Sequence, residues 1–146
     1  MKLKYLILIL FFTFPMILRA QEIALQLYSL RNEMKVDPVK YHQMIAAWGI
    51  SALEGGGNYG IADTDYQKLL KDNNLRIVGV GADFNKLKTD PAGIIADAKK
   101  YGAHFATCYW IPHAEGPISL EEMKAATELF NKAGELLAKE GITLTY

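Results

Sequence analysis

The sequence has 146 residues, and its 16 Lys and Arg residues balance its 16 Asp and Glu residues, so the formal net charge is +0 at pH 7. A balanced charge gives no electrostatic reason to expect nucleic acid or an anionic membrane surface as a partner. The single cysteine, Cys108, cannot form a disulfide within the chain. It lies in an apolar segment, so it is predicted to be a small buried hydrophobic residue and not a nucleophile.

The first 20 residues are typical of a secretory signal peptide. Lys2 and Lys4 provide a positive start, residues 6–18 form an apolar run, and Ala20 is the small residue before the predicted cleavage point. The run is shorter than the roughly 20 apolar residues that a membrane-spanning helix needs. The sequence therefore predicts a domain of residues 21–146 with a slightly negative charge. It also predicts a periplasmic or secreted location and no membrane association after cleavage.

Four helix-and-strand repeats follow the leader. The predicted helix starts are Asp37 before Pro38, Asp63, Asp90 before Pro91, and Ser119 with Glu122 as a capping box. The predicted helix ends are Gly49, Asn74, Gly102 and Gly141, which tolerate a left-handed backbone. The predicted strands are residues 23–29, 52–54, 75–81, 104–110 and 142–146, whose apolar character is typical of strands covered on both faces. This alternation predicts an α/β fold with a parallel sheet.

Two parallel folds accommodate these elements. One is a doubly wound open sheet, in which residues 21–146 make a complete flavodoxin-like domain. The other is a partial (β/α)8 TIM barrel with the first four βα units and the fifth strand, at about 30 residues per unit of a total near 250. Composition does not distinguish between them. In both folds the fifth strand has an exposed edge.

Ligands meet the carboxyl ends of the strands in both folds. The substrate-binding candidates at those ends are Tyr28, Glu54, Tyr109 and His113. An unpaired carboxylate at a strand end is costly, so Glu54 is predicted either to bind a ligand or to form a structural ion pair. The rings of Tyr28, Tyr109 and the neighbouring Trp110 are predicted either to stack on a sugar or to pack in the core.

Common catalytic motifs are missing from the sequence. Gly79-x-Gly81 lacks the third glycine of a dinucleotide fingerprint, because position 84 is Phe. His113-x-Glu115 is not followed by the Pro-Cys-x-x-Cys of zinc deaminases. The glycines at positions 55–57 suit either a flexible loop or a backbone cradle for a ligand. The residues therefore assign neither a catalytic group nor a metal ligand.

Several segments at the predicted strand ends carry a family resemblance. In chain order they are Gln26-Leu27-Tyr28-Ser29-Leu30-Arg31, Ala52-Leu53-Glu54, Ile77-Val78-Gly79, Ile111-Pro112, and Phe130-Asn131-Lys132-Ala133-Gly134 before Gly141-Ile142. In order and spacing they resemble the xylose isomerase-like TIM barrels called sugar phosphate isomerases/epimerases, and most closely the exported members found in Bacteroidetes-like bacteria. The resemblance covers nearly all of residues 21–146 and favours the barrel.

The resemblance implies proton abstraction next to the carbonyl of a small carbohydrate, with a divalent metal (Mn, Mg or Zn) steadying the enediolate in full-length relatives. The family's metal ligands come from the fifth strand onward, and none maps onto this sequence, which is therefore predicted to be truncated. Glu54 and His113 would line the sugar pocket, with Tyr28 and Tyr109 as its walls. The alternatives are a keto-glycoside lyase or hydrolase of the same family, or a non-catalytic carbohydrate-binding half-barrel that associates through its fifth strand.

Overall fold

The structure, a computed structural model, describes residues 22–146, so the predicted signal peptide lies outside the described residues. These residues form one sheet with its helices. The strands are β1 (Ala24–Gln26), β2 (Ala52–Glu54), β3 (Arg76–Gly81), β4 (Phe105–Thr107) and β5 (Thr143–Thr145). The helices are α1 (Glu33–Val36), α2 (Pro38–Ala47), α3 (Asp63–Asp72), α4 (Phe84–Thr89), α5 (Pro91–Tyr101) and α6 (Leu120–Ala138), with a 3-10 helix at Leu27–Leu30.

The order of the strands decides the fold class. The strands lie side by side in chain order, β1-β2-β3-β4-β5, and every neighbouring pair is parallel. A doubly wound sheet reverses its strand order at a switch point, so the flavodoxin-like alternative is wrong. Right-handed crossovers between consecutive neighbours place all the helices on one side of the sheet. The fold is therefore a partial (β/α)8 barrel, as the resemblance implied.

The helix termini follow the signals in the sequence. Asp37 caps α2 and Asp90 caps α5, each by accepting a backbone hydrogen bond at 2.9 Å. Ser119 and Glu122 form the predicted capping box at the start of α6. The four predicted helix ends all have positive φ, as a left-handed backbone requires: Gly49, Asn74, Gly102 and Gly141. Local hydrogen bonding at these positions determines where each helix begins and ends.

The start of α3 differs from the prediction. Asp63 is the first residue of the helix, and the N-cap position belongs to Ala62. The Asp63 carboxylate instead pairs with the Lys100 ammonium at 2.6 Å and accepts a hydrogen bond from the Asn58 amide at 3.0 Å. These partners lie in another helix and in the preceding loop, so tertiary contacts engage the carboxylate that the pattern assigned to a cap.

Four of the five strands are shorter than predicted, and β2 has the predicted bounds. The chain turns into a 3-10 helix directly after Gln26, and β4 ends at Thr107. Two short helices, α1 and α4, were also not predicted. Tyr28 and Tyr109 consequently lie beyond the ordered strands, in the segments that border the carboxyl edge of the sheet.

The two faces of the sheet have different environments. Leu53 and Ala106 are fully buried in the core, whereas Phe105, on the opposite face, is 45% exposed. On that opposite face, which we call the open face, the strand register places residues that include Gln26, Glu54, Gly79, Gly81, Phe105, Thr107, Thr143 and Thr145. The expectation that the strands are covered on both faces is therefore wrong for residues 22–146. In a closed barrel this face is the interior.

Cys108 and His42 are buried in the core. Cys108 is 1% exposed, which confirms its prediction as a small buried residue. His42 lies on α2, with Nδ1 2.6 Å from the Pro38 carbonyl oxygen and Nε2 3.2 Å from the Tyr66 hydroxyl. A carbonyl only accepts, so Nδ1 carries the proton and Nε2 accepts from Tyr66. Burial lowers the pKa of His42, against the opposing effect of the Pro38 carbonyl, so the ring is a neutral structural group.

We expect the free energy of unfolding to fall as the pH drops below about 6.5. The unfolded chain protonates His42 near that pH, whereas the folded chain resists protonation because the pKa is lowered. The stabilisation that arises from this difference in pKa is therefore complete above the pKa of His42 in the unfolded chain. Below that pKa, the free energy of unfolding falls by up to about 1.4 kcal/mol per pH unit. Urea unfolding between about pH 8 and pH 5 should show a shallower pH dependence for His42→Gln than for the unmodified chain. Equal slopes in the two proteins would contradict this role for His42.

Candidate functional site

A cavity of about 240 Å³ lies at the carboxyl edge of the open face. We call it the first cavity, and its lining consists of Gln26, Tyr28, Gly55, Gly56 and Tyr109. Tyr28 is 67% exposed and Tyr109 is 48% exposed, so both rings are accessible to a ligand. The segments that follow β1, β2 and β4 therefore meet at one site.

The glycine-rich segment after β2 makes room for two tyrosine hydroxyls. A Cβ atom at Gly55 would lie 2.8 Å from the Tyr109 hydroxyl, and one at Gly56 would lie 2.6 Å from the Tyr59 hydroxyl. Both glycines also have positive φ, which other residues rarely adopt. The absence of side chains at these positions lets the ring of Tyr109 lie close to the loop backbone, where it forms one wall of the first cavity.

Glu54 begins a chain of hydrogen bonds across the open face. Thr107 donates its hydroxyl hydrogen to Glu54 Oε1 at 2.6 Å, and the Thr145 hydroxyl lies 2.8 Å from that of Thr107. Because the Thr107 proton points to the carboxylate, Thr145 is the donor in the second bond, and the two bonds strengthen each other. Gly79 accommodates the Glu54 side chain, since a Cβ atom there would lie 3.1 Å from Glu54 Cγ.

The carboxylate of Glu54 is not part of an ion pair among residues 22–146. The structural ion-pair interpretation is therefore wrong within the described chain. Thr107 satisfies Oε1, and no donor from these residues is hydrogen-bonded to Oε2. A half-buried carboxylate oxygen with spare acceptor capacity is suited to the hydroxyl of a ligand.

The electrostatic setting keeps Tyr109 protonated. Burial is the largest cause that raises the pKa of its phenol, and the negative charge of Glu54 raises it further. The side chains of Gln26 and Thr107 act in the opposite direction. The phenol is thus a neutral hydroxyl that can donate to a ligand oxygen at neutral pH.

A second cavity of about 310 Å³ lies at the ends of β3 and β4. Its lining consists of Gly81, Ala82, Asp83, Phe84, Lys86, Cys108, Tyr109, Trp110 and Pro112. Tyr109 borders both cavities. The Cys108 thiol donates to the Trp110 carbonyl at 3.4 Å, and burial raises its pKa, so it is a poor nucleophile.

His113 does not line either cavity. Its Nδ1 lies 2.6 Å from the Ile111 carbonyl oxygen, and its ring packs against the Trp110 indole with centroids 4.5 Å apart. The structure thus brings Tyr28 and Tyr109 to the first cavity and places Glu54 beside it. The ring of His113 instead packs against Trp110.

Thr107 and Thr145 were not predicted as site residues. Each is the last residue of its strand. Thr107 reaches Glu54 because β2, β3 and β4 pair in the observed register, and Thr145 reaches Thr107 because β5 pairs with β4. The signal that could have found them is alternation, since residues 105, 107, 143 and 145 all belong to one face of their strands. Gln26 belongs to the same face and joins the first cavity.

The described residues do not fit a metal ion. Between residues 22 and 146, no group of three or more His, Cys, Asp or Glu side chains lies close enough to hold one. Glu54 is bonded to Thr107, and Asp83 Oδ1 accepts from the backbone N–H groups of Asn85 and Lys86 at the start of α4. A metal therefore takes no part in the chemistry that we derive for this segment.

In the described part of the chain, no helix combines the length and the apolar character that crossing a bilayer requires.

Comparison with protein-family models and with curated proteins found no match. Solved structures do match. A sugar phosphate isomerase/epimerase from Parabacteroides distasonis superposes with a TM-score of 0.68 at 26% identity, covering 85% of this chain and 50% of that one. The probable 3-DHS dehydratase AsbF from Bacillus anthracis gives 0.63 at 15% identity, covering 85% and 51%. An L-ribulose 3-epimerase gives 0.57 at 13% identity, covering 86% and 48%.

The sequential parallel sheet and the polar residues at its carboxyl edge define a partial (β/α)8 barrel. In fold, the chain is similar to xylose isomerase-like TIM barrels, and its structural neighbours include sugar isomerase/epimerase-like enzymes. It spans about half the length of the solved structures that it matches.

Proposed function

We propose that this chain is an incomplete form of a sugar isomerase/epimerase-like protein, a class whose full-length relatives act on a small carbohydrate by proton abstraction next to a carbonyl. The described residues supply the carbohydrate-binding part of that site. The observation that carries the proposal is the Glu54 carboxylate. Its Oε2 has no hydrogen-bond donor among residues 22–146, and Glu54 directly precedes Gly55, which lines the first cavity together with the exposed rings of Tyr28 and Tyr109. The match at 26% identity to a sugar phosphate isomerase/epimerase supports the same class of ligand.

The chemistry of the first cavity suits a sugar. Aromatic faces stack on the C–H face of a sugar ring, and Tyr28 and Tyr109 present such faces. The Glu54 carboxylate accepts from sugar hydroxyls, while the Gln26 amide and the Tyr109 hydroxyl donate to sugar oxygens. Glu54 is also the carboxylate at this edge that could accept a proton from carbon, provided that a bound carbonyl places that carbon within hydrogen-bond reach.

In this proposal, the metal-dependent part of the reaction is assigned to relatives that are longer than this chain. A divalent metal (Mn, Mg or Zn) is expected in relatives that span the whole barrel, where it polarises the carbonyl. The described residues of this chain do not fit one, as shown above. We therefore propose that this chain binds carbohydrate and is an incomplete form of the enzyme.

Binding and turnover should be measured separately on the full 146-residue chain. We expect aldoses or ketoses to bind, as seen by isothermal titration calorimetry, with no aldose–ketose interconversion when manganese is added. A lack of binding across the sugar panel would contradict the carbohydrate site. Turnover with manganese would contradict the incompleteness of the metal site.

A lyase or hydrolase acting on keto-glycosides is a variant of the same proposal, because it uses the same α-proton chemistry. Product analysis with keto-glycosides and with free sugars distinguishes the two. Release of an aglycone from the keto-glycoside would favour the variant, and unchanged glycoside would argue against it.

A non-catalytic half-barrel that pairs with a second copy is the other candidate. Two observations favour it: within residues 22–146, β5 has a strand partner only on the β4 side, and a groove of about 530 Å³ lies between β5 and α6. An unpaired strand edge is a ready site for association. Size-exclusion chromatography with light scattering should then show a dimer. A monomer at micromolar concentration would contradict pairing.

The location that we propose is the periplasm or the outside of the cell, supported by the leader pattern in residues 1–20. Fractionation of cells that produce the full chain, with sequencing of the mature N-terminus, tests it. Protein that stays in the cytoplasm with its leader intact would contradict both the location and the predicted cleavage.

A further inference from the structure

We infer that the first and second cavities are adjacent subsites for a carbohydrate of two linked rings, with Tyr109 between them. This inference deepens the proposed function and rests on it, because it specifies the size of the carbohydrate that the site holds. Each ring would occupy one cavity, and the bond between the rings would pass the edge of the Tyr109 phenol.

The first observation that supports two adjacent subsites is the position of Tyr109. One side of its phenol lies over the loop after β2, where a Cβ atom at Gly55 would be 2.8 Å from its hydroxyl. Its Cε2 atom lies over the end of β3, where a Cβ atom at Gly81 would be 3.7 Å away. The ring is therefore a wall common to the two cavities, and both are lined by it.

The second supporting observation is the size of the two cavities. They measure about 240 Å³ and 310 Å³. Small-molecule sites generally run from about 300 to 1,000 Å³, so each cavity is near or below the lower limit. Together they lie well within the range. A two-ring ligand would use the whole space, whereas a single ring would leave one cavity filled with water.

The third supporting observation is the chemistry of the side chains that line the second cavity. Trp110 is 62% exposed, and His113 packs against its indole with ring centroids 4.5 Å apart, which holds it in place as a stacking platform. Lys86 also lines this cavity and carries an ammonium donor, and Asp83 Oδ1 accepts from its backbone N–H at 3.1 Å, which fixes its backbone at the start of α4. An aromatic face beside a charged donor is the combination that recognises a ring bearing hydroxyl groups.

The test compares matched sugars on the full chain by isothermal titration calorimetry. The pairs are glucose with cellobiose, xylose with xylobiose, and mannose with mannobiose. We expect at least one disaccharide to bind about tenfold more tightly than its own monosaccharide, equal to about 1.4 kcal/mol. Trp110→Ala should weaken disaccharide binding more than monosaccharide binding and so remove this advantage. Trp110→Phe should keep most of it, and Tyr28→Ala should weaken both ligands.

Fluorescence provides a second measurement that does not depend on the alanine variant. The chain has two tryptophans, so Trp48→Phe leaves Trp110 as the only indole. The favoured disaccharide should shift its emission, and the monosaccharide should not. If both sugars bind equally and Trp110 emission is unchanged, the two-ring inference is wrong while the carbohydrate site stands. If no sugar binds, both are wrong.

Discussion

Replacing Glu54 with Gln is expected to weaken carbohydrate binding by roughly ten- to a hundredfold. The variant keeps the shape of the side chain and an oxygen that can accept from Thr107. It loses the negative charge and replaces the second acceptor oxygen, which has no donor among residues 22–146, with an NH2 group. Hydrogen bonds to charged groups contribute about 1.5–3 kcal/mol, which sets the size of the effect.

The matched control for this variant is Glu128→Gln, an exposed carboxylate on α6. It should leave affinity unchanged, and titration calorimetry with the tightest-binding sugar of the panel measures both proteins. Thr107→Val adds a third comparison, because it removes the hydroxyl that orients Glu54 without removing the charge. An affinity for Glu54→Gln within twofold of the unmodified chain would show that the carboxylate does not contact the ligand.

Replacing Leu53 with Ala is expected to lower the free energy of unfolding by about 2–5 kcal/mol. Leu53 is fully buried in the middle of β2 and packs within the hydrophobic core, so replacing it with Ala leaves a cavity among the core side chains. Because small domains have a stability of only about 5–15 kcal/mol, this single change removes a large share of it. Urea unfolding followed by circular dichroism measures the difference.

Leu120→Ala is the control for the core prediction, because Leu120 is 66% exposed at the start of α6. Its effect should stay within about 0.5 kcal/mol, as for surface substitutions generally. Similar losses in the two variants would mean that the helix-facing side of the sheet is not the stabilising core of the protein.

Parts of the fold were predictable because their causes are local. A capping box needs only Ser119 and Glu122, three residues apart, and a left-handed residue such as Gly102 ends a helix by its own conformational freedom. Asp63 shows the limit of this reasoning. Its carboxylate contacts Lys100, which is remote in sequence, and no local pattern contains that contact.

The candidate site also combines features that local sequence patterns predict with features that depend on tertiary contacts. Tyr28, Glu54 and Tyr109 were predicted as site residues because they stand at or just after predicted strands, and ligands meet parallel sheets at that edge. The structure places all three at or near that edge. His113 satisfies the same rule, yet its ring packs against Trp110 and lines neither cavity. A position after a strand therefore places a residue near the edge but does not determine the direction of its side chain.

The sequence by itself determined the strand-and-helix alternation, the helix ends and the parallel sheet, because each follows from periodicity and capping within a few residues. Only the tertiary structure decided between a barrel and a doubly wound sheet, because that choice lies in which strands are neighbours. It also joined Thr145, Thr107 and Glu54 into one hydrogen-bonded chain. These hydroxyls are 38 and 53 residues from their partners, so only strand pairing brings them together.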